Sequence, residues 1–371
     1  MTETVRAIHF TCPGCGAPEM AWDAGIAKLK CPYCAHQMDV PQRADDATVA
    51  AHQERPLAEG LLLAREQRGG GLGTEVRTTE CRTCGATVNF AGVAIASRCD
   101  FCGSDQVVEQ ASSQRSIRPQ SLVPFAIEQA AATDKFRHWL TKLWFRPNDL
   151  KRLARVGEIH GVYVPYWTFD ANVSSQWTAQ AGYYYYVTET YTTTENGKPV
   201  QRTRQVRHTR WTSASGSRQD RYDDVLVTAS RGLPHELADR LTTFDTSKLV
   251  AYDPHYLAGW RAEEYAVELD QAWTLGSDKI ANSQRSRCAG DVPGDTHRAL
   301  DVRNQFFNET FKHVLLPLWI ASYRYRDEAY RFLVNGQTGE VTGEAPWSWI
   351  KITLAVLLAL VVAAIVLYVV R

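Results

Sequence analysis

Residues 11–20 read TCPGCGAPEM, and residues 30–37 answer with KCPYCAHQ, so Cys12, Cys15, Cys31 and Cys34 follow the pattern C-x2-C-x15-C-x2-C. The arrangement returns in ECRTCGATV (80–88) and SRCDFCGS (97–104), where Cys81, Cys84, Cys99 and Cys102 follow C-x2-C-x14-C-x2-C. Eight of the nine cysteines fall in these pairs, which points to metal clips rather than a disulfide framework. Four soft thiolates satisfy tetrahedral zinc and leave no position for substrate water, so two structural zinc ions are expected. Gly16, Gly85 and Gly103 directly follow the second cysteine of a pair, where positive φ turns backbone N–H groups toward sulfur. Ala35 stands at the fourth such position. His9 and His36 lie nearby, but four cysteines already complete each set.

A ribbon of some thirty residues cannot bury a stable core, so metal binding must supply most of its folding free energy, on the order of 10–16 kcal/mol. Thiolates that hold zinc also imply a reducing compartment. The opening MTETVRAIHF has no basic region followed by an apolar stretch, so no secretory signal is expected and synthesis begins in the cytosol.

The chain has 371 residues, with 41 Lys plus Arg and 41 Asp plus Glu, so no net charge draws it to nucleic acid or lipid. Locally, Arg6, Lys28 and Lys30 face Glu3, Glu19, Asp23 and Asp39 in the first ribbon. In the second, Arg77, Arg82 and Arg98 cancel Glu80, Asp100 and Asp105. Phosphate contacts need clustered Lys or Arg, so nucleic acid is not the expected partner and protein contact is the better reading.

From Ile352 to Val370 there are nineteen residues without a charge. A helix of that length covers about 28 Å, close to a hydrocarbon core of about 30 Å, and can span a bilayer once. Trp347, Trp349 and Lys351 before it, with Tyr368 and Arg371 at its end, are placed as interfacial anchors. One cation on each side does not orient the span. Cysteine chemistry does, and it places the bulk of the chain on the cytosolic face of the cytoplasmic membrane as a single-pass, tail-anchored protein.

Between these ends, residues 41–75 suggest a helix running into a flexible joint at RGGGLG, which is no phosphate loop because G-K-[ST] occurs nowhere. TDKFRHWLTKLW reads as a helix capped by Thr133 or Asp134, with Phe136, Leu140, Leu143 and Trp144 on a core-facing side. GVYVPYWTFDANV and DVLVTAS read as strands, LPHELADRL as a helix with Pro234 in its first turn. RAEEYAVELDQAW is an amphipathic helix through Tyr265, Leu269, Ala272, Trp273 and Ile280, ending near Cys288, a small thiol with no base beside it in sequence. HVLLPLWIASYRYRDEAYRFLVNGQTGEVTG reads as antiparallel strands joined at Asp327 and at Asn335 to Gly339.

The stretch from Tyr183 to Trp211 folds back at Asn196-Gly197, the pair that favours a type I′ turn. That turn opposes Val187 to Val206, Glu189 to Arg204, Tyr191 to Arg202 and Tyr183 to Arg210. Five basic residues there outweigh Glu189 and Glu195, a patch for acidic lipid or an acidic partner. A solvated hairpin with Arg stacked on Tyr is the competing reading. YVPYWTF and LLPLWIA place Pro165 and Trp167 as they place Pro317 and Trp319. Either a duplication spanning 157–170 and 309–322 or a coincidence accounts for this, and the prolines predict matching sheet edges or bulges.

These motifs, with VPFAI, VNGQTGEVTGE and the apolar tail, resemble a bacterial family of double-zinc-ribbon, single-span membrane proteins. Members carry TFIIB-type zinc-ribbon or primosomal helicase-like labels, and the missing Walker motif removes the helicase label here. The resemblance implies an association with SPFH-domain and phage-shock (PspA/IM30-like) proteins. It carries metal binding onto the eight cysteines and implies no catalytic residue.

The expected class is α+β: two N-terminal zinc ribbons (1–40 and 76–110) joined by the 41–75 linker, a mixed antiparallel-sheet and helix domain (120–345) with a projecting hairpin (183–211), and a transmembrane helix (350–371). The expected function is a membrane-anchored, zinc-binding cytosolic adaptor in membrane stress or remodelling. A membrane-linked nucleic-acid binder is the alternative. With no G-x-S-x-G, H-E-x-x-H or phosphate loop in the chain, an enzyme is not expected.

Overall fold

The computed structural model describes residues 10–41, 52–66, 72, 77–89, 98–111, 117–150, 155–156, 159–195, 197–241, 243–325 and 328–370. His9, Asn196, Asp327, Arg371 and nearly all of the glycine-rich joint lie outside them. The protein is α+β with a sheet-rich body.

In chain order, ribbon one holds β1 (Ala21–Asp23), β2 (Lys28–Lys30) and β3 (Gln37–Met38). β4 (Arg55–Pro56) and α1 (Leu57–Glu66) precede ribbon two, which holds β5 (Arg77–Cys81), β6 (Thr87–Asn89) and β7 (Val107–Ala111). Then come β8 (Ser121–Leu122), α2 (Gln129–Lys142), β9 (Arg155–Val156) and the long strands β10 (His160–Glu195) and β11 (Lys198–Thr228). The chain continues through α3 (His235–Ala238), β12 (Val250–Ala251), β13 (Arg261–Glu263), α4 (Leu269–Asp291), β14 (Thr296–Tyr325), β15 (Glu328–Asn335), β16 (Val341–Gly343) and α5 (Trp349–Val370). It divides into two compact units: one comprises 1–168, 226–272 and 312–371, the other 169–225 and 273–311.

Burial along β10 follows its sequence. Residues 162–170, VYVPYWTFD, are buried without a break, as an interior strand with both faces covered requires. From Ala171 to Ala179 buried residues alternate with more exposed ones, the period of a strand with one covered face. Tyr185 to Thr188 are exposed on both faces.

In the first unit the sheet runs β12-β8-β14-β10-β13-β6-β5-β7, with parallel as well as antiparallel neighbours. Pro165 and Pro317 therefore lie in interior strands, not at the edges that their sequence predicts. The reason is a change of neighbour. Val162 and Tyr163 pair in parallel with Arg261 and Ala262, and Val314 and Leu315 with Ser121 and Leu122; each proline, lacking an N–H, comes two residues after its last such pair.

The two segments are built alike. The carbonyls of Pro165 and Pro317 accept from the N–H groups of Ala229 (2.9 Å) and Gly336 (2.8 Å). Ala229 O accepts from Ala266 and Val267 at 2.8 and 3.0 Å, while Gly336 O accepts from Ala126 and Ile127, both at 2.9 Å. The indole of Trp167 donates to Val267 O at 3.0 Å and that of Trp319 to Ile127 O at 2.8 Å. EEYAVE (263–268) thus matches VPFAIE (123–128), and LVTASRG (226–232) matches LVNGQTG (333–339). Each copy's long strand pairs with the other copy's short one, a reciprocal exchange that the Pro-Trp coincidence alone does not reveal.

Two helices differ from the sequence expectation. α2 begins at Gln129, with Glu128 extended and no side-chain cap. It buries Ala132, Phe136 and Leu140, while Trp144 lies beyond its end and is exposed. RAEEYAVELDQAW is not one helix: Arg261–Glu263 is strand, and α4 starts at Leu269. The sheet claims the first residues because their backbone groups pair with β10 and β6.

In the second unit, residues of α4 cover one face of the strand segments. Ile280 packs with Ala171, Val173 and Tyr222, and Cys288 with Trp177 and Ala179. Cys288 is fully buried, and burial raises its thiol pKa. Arg204 donates to Glu189 at 3.1 Å, Tyr185 stacks on His208 at 5.5 Å, and Gly197 has φ of 76°, all consistent with the turn-set register. Arg207 lies over the Tyr184 ring at 4.3 Å.

Candidate metal centres

Each cysteine pair forms the same local turn. In all four, the N–H of the residue after the second cysteine donates to the carbonyl of the first: Gly16 to Cys12, Ala35 to Cys31, Gly85 to Cys81 and Gly103 to Cys99, at 2.8–3.0 Å. The first cysteine's own N–H donates to the carbonyl five residues on, at 2.7–2.9 Å: Ala17, His36, Ala86 and Ser104. The closing residues have φ of 72°, 59°, 78° and 69°. Ala35 thus takes the left-handed conformation that glycine takes at the other three sites, at a cost on the order of 1 kcal/mol.

This cost is testable without touching a ligand. Ala35→Gly is expected to strengthen ribbon one by about 0.5–1 kcal/mol, and Gly16→Ala, whose new Cβ would meet nothing within 4 Å, to weaken it by a similar amount. Zinc partition against a chelator should shift about threefold in opposite directions. Equal affinities would remove the conformational argument.

The turns bring the thiols together. Cys12 Sγ lies 3.5 Å from Cys34 Sγ and Cys15 Sγ 3.7 Å from Cys31 Sγ; the corresponding pairs Cys81–Cys102 and Cys84–Cys99 are both at 3.6 Å. Zn–S bonds of about 2.3 Å give a tetrahedron with an edge of about 3.8 Å, so both sets fit zinc closely. Within each set all four sulfurs lie within 4.8 Å of one another. Cys12, Cys31, Cys81 and Cys99 are buried, whereas Cys15 and Cys34 are exposed.

The electrostatics call for a cation. Burial opposes ionisation of Cys31, but N–H groups of Cys34 and Tyr33, with the neighbouring thiols, bring its pKa down to about 7. The hydrogen bond that the Cys99 thiol gives to Cys84, with burial and Coulombic repulsion, drives the Cys99 pKa far upward. Four thiols so close cannot all ionise unaided, and a dication resolves the conflict by holding them all as thiolates. His36 is exposed, and its carbonyl is used in the Cys31 turn.

Both centres belong to the first unit. Ribbon one enters through Trp22: its N–H donates to Ala258 O at 3.1 Å, its indole to Phe125 O at 3.2 Å, and its carbonyl accepts from the Trp260 indole at 2.9 Å. Phe125 in turn stacks on Trp260 with centroids 3.9 Å apart. Ribbon two joins by main chain, because Asn89 and Val88 of β6 pair with Ala262 and Glu263 of β13. Buried Asp100 accepts from Arg261, and His160 lies 3.5 Å from the same carboxylate. Trp22 and Asp100 are docking residues that the cysteine spacing does not single out.

At the far end, the 20 residues Trp349–Tyr368 of α5 are long and apolar enough to cross a membrane; their most apolar 18-residue stretch has mean hydropathy 2.9, and none of that stretch is buried. No family model matches the chain, and no solved structure matches it. It is similar to the uncharacterized protein YdjG of Bacillus subtilis (strain 168), at 27% identity over 345 residues, covering 92% of this chain and 91% of that one.

Proposed function

We propose that the protein is a non-enzymatic adaptor whose two zinc-bound ribbons face the cytosol and whose C-terminal helix holds it in the cytoplasmic membrane. The observation that carries this reading is the pairing, in one compact unit, of two closed tetracysteine sets with an apolar helix that buries nothing. Zinc held by all eight cysteines (Cys12, Cys15, Cys31, Cys34, Cys81, Cys84, Cys99 and Cys102) has no position left for substrate, so the ions act as staples. The absence of a basic cluster on either ribbon favours protein partners over nucleic acid. SPFH-domain or phage-shock (PspA/IM30-like) proteins are the proposed partners, recruited to the inner face during membrane stress or remodelling.

Crosslinked pull-down of the full chain from native membranes tests this. The expected result is recovery of such a membrane-remodelling partner, reduced at least tenfold in the Cys99→Ser variant. Undiminished recovery would remove ribbon two from the contact. Salt-sensitive retention on DNA would favour the nucleic-acid reading, and recovery of the full chain in the soluble fraction would end the anchoring one.

A further inference from the structure

Helix α2 ends at Lys142, and the loop after it presents Trp144 and Phe145 to solvent, 78% and 42% exposed. Both are about two hundred residues from the tail in sequence, yet the fold brings them to its neck. Phe145 O accepts from the N–H of Ser348 at 2.8 Å, and Trp144 O accepts from Lys351 Nζ at 2.9 Å. Arg146 donates to Ala345 O at 2.5 Å and lies over the Trp347 ring at 3.8 Å. Trp347 and Trp349 are 58% and 75% exposed. Four aromatic side chains and two cations therefore ring the first turn of an exposed apolar helix. A bilayer interface takes this mixture: indoles and phenyl rings at the depth of the headgroups, cations at the phosphates.

We propose that the Trp144–Arg146 loop is a second lipid contact, inserted into the headgroup region beside the point where the tail enters the membrane. The proposal rests on reading α5 as a span, and continuity with that span identifies the occupant as lipid. The neck has no free linker. Ser348 O accepts the N–H of Ile352 at 3.0 Å, so the helix begins where the loop grips it. A helix tied at Ala345, Ser348 and Lys351 to the 144–146 loop holds the first unit down on the bilayer instead of letting it swing on a tether.

The test uses the full chain in nanodiscs whose lipids carry bromine near the headgroup end of the acyl chain, with tryptophan emission as the readout. Trp144→Phe keeps an aromatic ring in an exposed loop and leaves the core alone. It should remove quenchable emission within about a factor of two of that removed by Trp349→Phe. If Trp349→Phe lowers the quenchable emission and Trp144→Phe leaves it unchanged, the loop contact is overturned while the span stands. If brominated lipid quenches nothing in the parent protein, the span itself fails and the loop contact with it.

Discussion

Replacing Cys99 with serine is expected to release one zinc and to unlock the middle of the sheet, whereas Cys31→Ser should release one zinc and disturb mainly its own ribbon. Each change removes one of four thiolates, and the apparent metal free energy at stake, on the order of 10 kcal/mol, matches or exceeds the stability of a typical domain. The difference lies in how each ribbon is attached. β6 pairs directly with β13, Glu264 N–H donates to Thr87 O at 2.9 Å, and Phe101, two residues past Cys99, is wholly buried. Ribbon one has its own three-stranded sheet and docks through Trp22. Metal content should fall from about two ions per chain to about one in both variants. Hydrogen exchange should then separate them: the amides of Ala262 and Glu264 lose protection in Cys99→Ser and keep it in Cys31→Ser. Equal protection would show that zinc in ribbon two does not support the sheet.

The parts legible in the sequence are those with local causes. A cysteine pair makes its turn within six residues, so spacing alone announces both centres. The apolar tail is likewise a property of one segment. The Asn196-Gly197 hairpin is local too, and Arg204 does meet Glu189 as the turn demands. The illegible parts depend on partners far along the chain. Residues 261–263 read as the first turn of a helix running to Ile280, yet their backbone is claimed by β10 and β6. Trp144 fits the apolar face of α2 on paper, but Lys142 ends that helix and the indole points away from the core. The internal repeat first shows in sequence as the Pro-Trp pair of each copy. The matched hydrogen bonding of Ala229 and Gly336 extends it to segments that share only scattered residues, Leu226, Val227 and Gly232 with Leu333, Val334 and Gly339, and Ala266 and Glu268 with Ala126 and Glu128.

That repeat also isolates a residue whose ionisation should govern the pH dependence of stability. Glu263 is wholly buried; its Oε1 accepts from Ser230 Oγ at 2.8 Å, and among the described residues its Oε2 has no hydrogen-bond partner. Burial pushes its pKa from 4.5 up to about 8, against the pull of Ser230 and the Gly232 N–H. Between those values the unfolded chain has lost this proton and the folded chain keeps it. Stability is therefore full below about 4.5 and declines as pH rises through about 8. Glu263→Gln keeps an acceptor for Ser230 and removes the ionisation. It is expected to flatten the decline and to gain on the order of 4 kcal/mol at pH 8. Denaturant unfolding from pH 5 to 8 on the zinc-loaded protein checks this, and a variant that tracks the parent across the range would refute it. The matching position in the other copy is Val123, equally buried. The architecture thus accepts an apolar side chain there, and the carboxyl stands only in the copy that receives ribbon two, on the same short strand as Arg261, whose contact with Asp100 binds that ribbon to the sheet.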